Sequence, residues 1–154
     1  MSALRLLKAV SALLMLLVCG NAYAQADDPR LKAVLAIAKE VTAILDTDTP
    51  DIKKLRPLFS EKSQKFPDSD LLKSIVQYRE MFGKVISRTL VVVYFAETTA
   101  DPEMQKIDKY RDLSGPFAIL RYKVRFEKYN EGSEYLVLRL EHNEWRVFPS
   151  RNFD

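Results

Sequence analysis

The sequence is poor in the residues that most catalytic and metal chemistry requires. Its 154 residues include one Cys (Cys19), one His (His142), one Trp (Trp145) and four Gly. A lone Cys excludes an intrachain disulfide framework. One His and one Cys leave no donor set for the usual zinc sites, and nothing calls for a cofactor. Gly20, Gly83, Gly115 and Gly132 lie far apart, which excludes a glycine-rich phosphate loop. No large excess of one charge sign exists either: 24 Lys+Arg face 21 Asp+Glu. A nucleic-acid protein normally carries a strongly basic patch, so no nucleic-acid partner is expected. What is present, 47% hydrophobic and 29% charged residues, is the composition of an ordinary globular domain.

The first two dozen residues are of another kind. Arg5 and Lys8 precede the apolar run Ala12–Val18, followed by Ala22-Tyr23-Ala24. A basic start, a short apolar core and an A-x-A site predict a secretory signal peptide over residues 1–24. Ala24-Gln25-Ala26 offers a second A-x-A, so cleavage after Ala24 or Ala26 is open. The apolar run is too short for a membrane span, which needs about 20 residues. Cys19 raises lipidation, but Val18 stands where a lipoprotein signal wants a small residue. Removal of residues 1–24 leaves 22 basic against 21 acidic side chains and no Cys. The expected mature protein is a single domain, residues 25–154, exported to the periplasm or secreted, with no later stretch able to cross a bilayer.

Within that domain the first half reads as helix. Asp28-Pro29 is a cap followed by proline at the first helical position. Leu31, Val34, Leu35, Ala38, Val41 and Leu45 then recur at spacings of three and four, predicting a helix over 29–45. Thr49-Pro50 repeats the signal before a short helix bearing Ile52, Leu55, Leu58 and Phe59, whose end Pro57 leaves open because proline removes a helix bond. Asp68 or Ser69 caps a third helix with Leu71 or Leu72, Ile75, Tyr78 and Phe82 on one side, and Gly83 ends it.

After Gly83 the period changes to two. Val85–Thr98 is a β-branched and aromatic strand, and its run Leu90–Phe95 is apolar on both faces, which predicts cover on both. Residues 100–116 form a polar connection with room for one helical turn. Leu120, Tyr122, Val124 and Phe126 alternate with Arg121, Lys123, Arg125 and Glu127, and Leu136, Leu138 and Leu140 with Val137, Arg139 and Glu141. A three-residue loop, Asn130-Glu131-Gly132, sets Phe126 opposite Leu136, Val124 opposite Leu138 and Tyr122 opposite Leu140. A turn at His142-Asn143 sets Leu140 opposite Trp145 and Leu138 opposite Val147. The fold class expected is α+β, with the helices packed on a curved four-stranded antiparallel sheet.

Three segments carry a resemblance: FGKVISRTL at 82–90, ILRYKVRFEK at 119–128 and EYLVLRLEHNEWRVF at 134–148. They resemble the domain-of-unknown-function 4019 family, small exported bacterial proteins similar to the cystatin-like, nuclear transport factor 2-like cone. Gly83, Arg88, the Tyr122–Phe126 strand and Trp145-Arg146-Val147 match its pattern. Glycine is missing close before Trp145, and the terminal glycine-aromatic pair is replaced by Asn152-Phe153. The resemblance implies the cone fold and carries over no catalytic residue.

His142 falls at a hairpin tip, a poor place to shield a substrate. The carboxylates Asp46, Asp48, Asp51 and Glu97 sit among polar neighbours, so none is expected to be catalytic. The row Tyr122, Val124, Phe126, Leu138 and Trp145 is core or, alternatively, the lining of a cavity. The registers above place Lys123, Arg139 and Arg146 side by side, flanked by Arg121 and Arg125. Such like-charged neighbours cost stability unless an anion meets them. The expected function is therefore a non-enzymatic binding domain presenting this basic face to a protein or anionic envelope component. The alternatives are a carrier of a small apolar ligand in the cone, or a cone enzyme with a buried carboxylate; a homodimer also stays open.

The leader makes one measurable prediction. Intact-mass analysis of the exported protein should find it beginning at Gln25 or Asp27, unlipidated, and a retained residue 1 or a diacylglyceryl mass on Cys19 would contradict it.

Overall fold

The computed structural model describes residues 28–107 and 114–148. The leader, its cleavage sites and Cys19 lie outside the described residues. Contacts divide the chain between Lys32 and Ala33; apart from the first turn of the opening helix, the account below concerns the second unit. The architecture is the expected α+β class, helices followed by an open four-stranded antiparallel sheet.

Helix α1 spans Arg30–Leu45 and buries Val34, Ala38 and Val41 on one stripe. At its start an Asp28 carboxylate oxygen accepts the Arg30 backbone N–H at 2.9 Å. Helix α2, Ile52–Leu55, begins two positions later than the Thr49-Pro50 signal implied. Asp51 is its cap, accepting the N–H groups of Lys53 and Lys54 at 3.1 and 3.3 Å. Proline at 57 tightens the continuation into a 3-10 turn over Arg56–Leu58. Helix α3, Asp68–Phe82, follows Pro67 without a side-chain cap; the Asp68 and Asp70 charges complement its positive end instead.

Strands β1 (Val85–Thr98), β2 (Ser114–Phe126), β3 (Gly132–Glu141) and β4 (Glu144–Phe148) lie in sequential order. Helix α4, Pro102–Ile107, is the turn of helix anticipated between β1 and β2. β2 starts earlier than expected and includes Pro116. Pairing of β2 with β3 reaches only to Phe117, and a register shift of β1 lies alongside, so the missing N–H breaks no regular ladder.

The β3–β4 hairpin has the expected register, Leu140 opposite Trp145 and Leu138 opposite Val147. Its turn residues His142 and Asn143 have φ of 50° and 64°, as a two-residue turn of this kind requires. The β2–β3 register differs from the expectation. Leu120, not Phe126, faces Leu136; Ala118 faces Leu138; and Tyr122 faces Glu134. The connection is five residues, Glu127–Glu131, because long-range bonds claim it: Glu127 N–H donates to Lys84 O at 2.8 Å and Lys128 N–H to Phe82 O at 2.9 Å. Phe82, Phe126 and Tyr129 cluster there, with ring centroids 5.3 and 6.1 Å apart from Phe82. The shift is by an even number of residues, so every side chain keeps its face.

Each face of the sheet has its own core. Val124, Phe126, Leu138, Trp145 and Val147 are buried on the face toward α3. The opposite face, expected to carry the charged series Arg121, Lys123, Arg125 and Arg139, is apolar over one half. Ala96, Phe117, Ile119, Val137 and Phe148 pack there with Met104 from α4. The two edges differ as well. A parallel bridge from Phe59 to Val147 covers β4, and Ser60 N–H donates to Val147 O at 2.8 Å. β1 pairs with no second strand among the described residues, and its ladder has register shifts at Val85/Ser87, Leu90/Val92 and Ala96/Thr98. Leu90, Val91 and Val92 are consequently 38%, 51% and 40% exposed, against the expected cover on both faces.

Gly83 joins α3 to β1 with φ 78° and ψ −165°, and a Cβ added there would meet Glu127 Cβ at 2.8 Å. That backbone region is open essentially to glycine alone. Gly83→Ala should therefore lower the unfolding free energy by about 1–3 kcal/mol in urea titrations, and an unchanged midpoint would contradict this packing.

Candidate functional site

Four elements converge on one side chain, Arg88. It lies on β1 opposite Val124 and so points to the helix-covered face. Its Nη1 donates to Asp46 Oδ2 at 2.8 Å, just beyond the end of α1. Its Nε and Nη2 donate to Glu134 Oε2 at 3.0 and 2.6 Å. Glu134 reaches this face because β3 pairs Tyr122 with Glu134. The Tyr78 hydroxyl on α3 donates to the other Glu134 oxygen at 2.5 Å. The Arg88 guanidinium also lies over the Tyr122 ring, 5.7 Å from its centroid.

Arg79, one residue after Tyr78, holds the end of α1. It donates to the carbonyls of Leu45 and Asp48 at 2.6 Å each, and to that of Thr47. A guanidinium at a helix C-terminus satisfies carbonyls that have no intrahelical partner. Lys84 closes the rim through an ion pair with Asp48 at 2.8 Å.

These side chains surround a cavity of about 200 Å³. Its apolar wall comes from Leu45, Ile75, Val85 and Leu136, and its polar wall from Asp46, Tyr78, Arg88, Tyr122 and Glu134. A wider groove between α1 and β1, lined by Leu35, Ile86 and Leu90, opens beside it and shares Asp46, Arg88 and Tyr122.

The electrostatics follow from partial burial. Desolvation raises the Asp46 carboxyl above the ordinary aspartate value; the Arg88 charge opposes the shift and the Glu134 charge adds to it. Burial, then the hydrogen bond to Glu134, pushes the Tyr78 phenol far above its usual range. Burial also raises Tyr122, with Arg88 acting against it. Asp48, paired with Lys84 in the open, is lowered by that hydrogen bond.

The anticipated site residues are distributed differently. Of the row considered as cavity lining, Tyr122 alone lines it; Val124, Phe126, Leu138 and Trp145 are packed. The Trp145 indole rests near Phe95, with ring centroids 6.0 Å apart. Arg121, Lys123, Arg125, Arg139 and Arg146 do share one face, but the shifted register dissolves the expected row. Lys123 faces Ser133 instead of Arg139 and pairs with Glu131 at 2.9 Å. Arg139 faces Phe117 on one side and Arg146 on the other. It lies over the Phe117 ring, with Glu141 at 3.6 Å, while Arg146 bonds Glu144 and the Pro57 carbonyl. His142 is exposed at its hairpin tip, 3.0 Å from Glu61.

Among the carboxylates, Asp51 caps α2, Asp48 pairs with Lys84 and Glu97 is exposed. Asp46 contradicts the expectation that all sit in wet, unperturbed surroundings. Glu134 was not anticipated at all: a three-residue loop would have left it beside Lys128, outside the paired strands. Its signal in the sequence is its place at the head of the alternating series Glu134, Leu136, Leu138, Leu140. No family model, curated protein or solved structure matches the chain.

Asp46 binds its proton more tightly in the folded than in the unfolded chain. Its contribution to stability is therefore complete below the ordinary aspartate range, about 3.9, and is lost as pH rises through its raised folded value. Asp46→Asn should match the parent in acid and exceed it in Tm at neutral pH. A difference curve that stays flat from pH 3 to 7 would contradict the assigned burial.

Proposed function

We propose that the chain is an exported, non-enzymatic binding domain of the nuclear transport factor 2-like kind. Its ligand is a small, largely apolar molecule held in the cavity behind Arg88. The carrying observation is a cavity of about 200 Å³ lined by apolar side chains of α1, α3, β1 and β3 with a few polar groups among them. Pre-formed sites for small molecules combine these two features. A void of about 150 Å³ already accommodates benzene in a packed protein interior, so a ligand of single-ring size fits.

Binding is favoured over catalysis by how the polar groups are engaged. Arg88 holds both carboxylates, and Glu134 also accepts the Tyr78 hydroxyl. A general base needs a free lone pair aimed at substrate, whereas Glu134 spends its own on holding the wall together. The outer sheet face loses its claim as the main site because its basic residues are split and neutralised in part by Glu131, Glu141 and Glu144. The export assignment rests on residues 1–24.

Benzyl alcohol is a fitting first probe. At about one hundred times its dissociation constant a ligand stabilises the folded chain by about 2.7 kcal/mol, which a thermal melt resolves as an upward shift of several degrees. Ile75→Trp, which fills the cavity, should melt cooperatively yet give no shift with the probe. No shift in the parent protein would overturn the reading.

A further inference from the structure

Three basic side chains of β2 line neither the cavity nor the groove beside it. Arg121, Lys123 and Arg125 project from alternate positions of the strand, about 7 Å apart by strand geometry, and all three are exposed. Their directly opposed neighbours are Ser87, Thr89 and Val92 of β1 and Ser133 and Tyr135 of β3, so no carboxylate faces them across the sheet. Glu131 pairs with Lys123 at 2.9 Å. Glu127, next in the alternation, accepts the Lys84 N–H at 3.4 Å instead. Arg121 and Arg125 have no ion-pair partner among the described residues. Two guanidinium groups on this half of the face are thus left without a bound carboxylate.

The strand edge beside them is apolar. Val92 stands opposite Arg121 on the same face, Val91 bulges from β1 next to it, and both are exposed. Tyr135 flanks Arg121 on the other side and is exposed as well. We propose that this half of the outer sheet face docks peripherally on a bilayer containing anionic lipid. Arg121, Lys123 and Arg125 meet lipid phosphates, while Val91 and Val92 enter among the headgroups. Such a surface complements both features: its negative potential attracts basic side chains, and its interfacial layer takes up apolar ones. A ring with a polar tip, such as that of Tyr135, suits the same layer. A soluble polyanion would meet the guanidinium groups yet leave Val91 and Val92 in water. A purely apolar partner would bury those charges with nothing to pair them.

Co-sedimentation of the exported protein with vesicles tests this. One set is phosphatidylcholine alone and the other equal parts phosphatidylcholine and phosphatidylglycerol, at low salt, where surface charge is least screened. Binding should require phosphatidylglycerol. Each basic residue near such a surface contributes a factor of about five, so Arg121→Gln with Arg125→Gln should weaken binding about 25-fold. If that double variant melts without cooperativity, Arg121→Gln alone supplies the test, with a loss of about fivefold. Lys65→Gln with Lys73→Gln removes the same charge from the helical part of the chain and should change binding by less than about threefold. Val91→Ser with Val92→Ser, which leaves the charge alone, should weaken it several-fold. Equal binding to both vesicles, or to neither, would overturn the proposal. So would a loss in the lysine variant as large as in the arginine one. Binding that falls with the arginines, ignores the valines and is abolished by free inorganic polyphosphate would assign the face to a soluble polyanion and overturn the membrane contact.

Discussion

The arrangement of the helices on the sheet depends on how one positive charge is shared. Arg88 is only 11% exposed, and it bonds a carboxylate after α1 and another on β3. Removing the guanidinium would cost on the order of 3–5 kcal/mol, since the two carboxylates left behind are partly stripped of their water. Here the guanidinium fixes the end of α1 against β1 and β3, and Tyr78 brings α3 to the same carboxylate. Arg79 adds a second tie from α3 to the carbonyls of α1. The side chains that make these ties also line the cavity.

The rest of the sheet is stabilised by apolar burial on both faces. Leu120, Val124 and Leu138 are fully buried toward the helices, and Phe117 and Met104 on the other side. β2 runs through the middle of both layers, which accounts for its four consecutive buried positions, Phe117–Leu120. The basic residues lie around the second layer. Arg139 covers the Phe117 ring, so part of its value is in shielding an apolar group rather than in its charge.

The elements themselves were legible along the chain. Period 3.6 located α1 and α3, period two located β1 to β3, and Gly83 and His142-Asn143 marked two of the breaks correctly. The β2–β3 register was not legible. Loop length there is set by the carbonyls of Phe82 and Lys84, more than forty residues earlier, and hairpin preferences contain no such information. That single difference hid Glu134 and displaced Lys123 from Arg139. Asp46 was visible as a carboxylate, but its burial depends on Arg88 and Glu134 arriving from elsewhere, which a local pattern does not convey. Alternation in β1 also gave no warning that it is an edge, because its apolar run reads like a central strand.

The irregularities of that edge have a consequence for self-association. An uncapped strand rich in valine, free of proline and nearly free of charge is the usual seed of cross-β growth, in which each added chain copies a long uninterrupted ladder. β1 offers no such ladder. Its regular positions come as two separate stretches, Ser87–Leu90 and Val92–Ala96, with Val91 bulged between them. A strand arriving in step with the first is out of step with the second, so each template ends after four or five residues. The bulge at Val91 thus interrupts the template through the backbone instead of through a charged side chain.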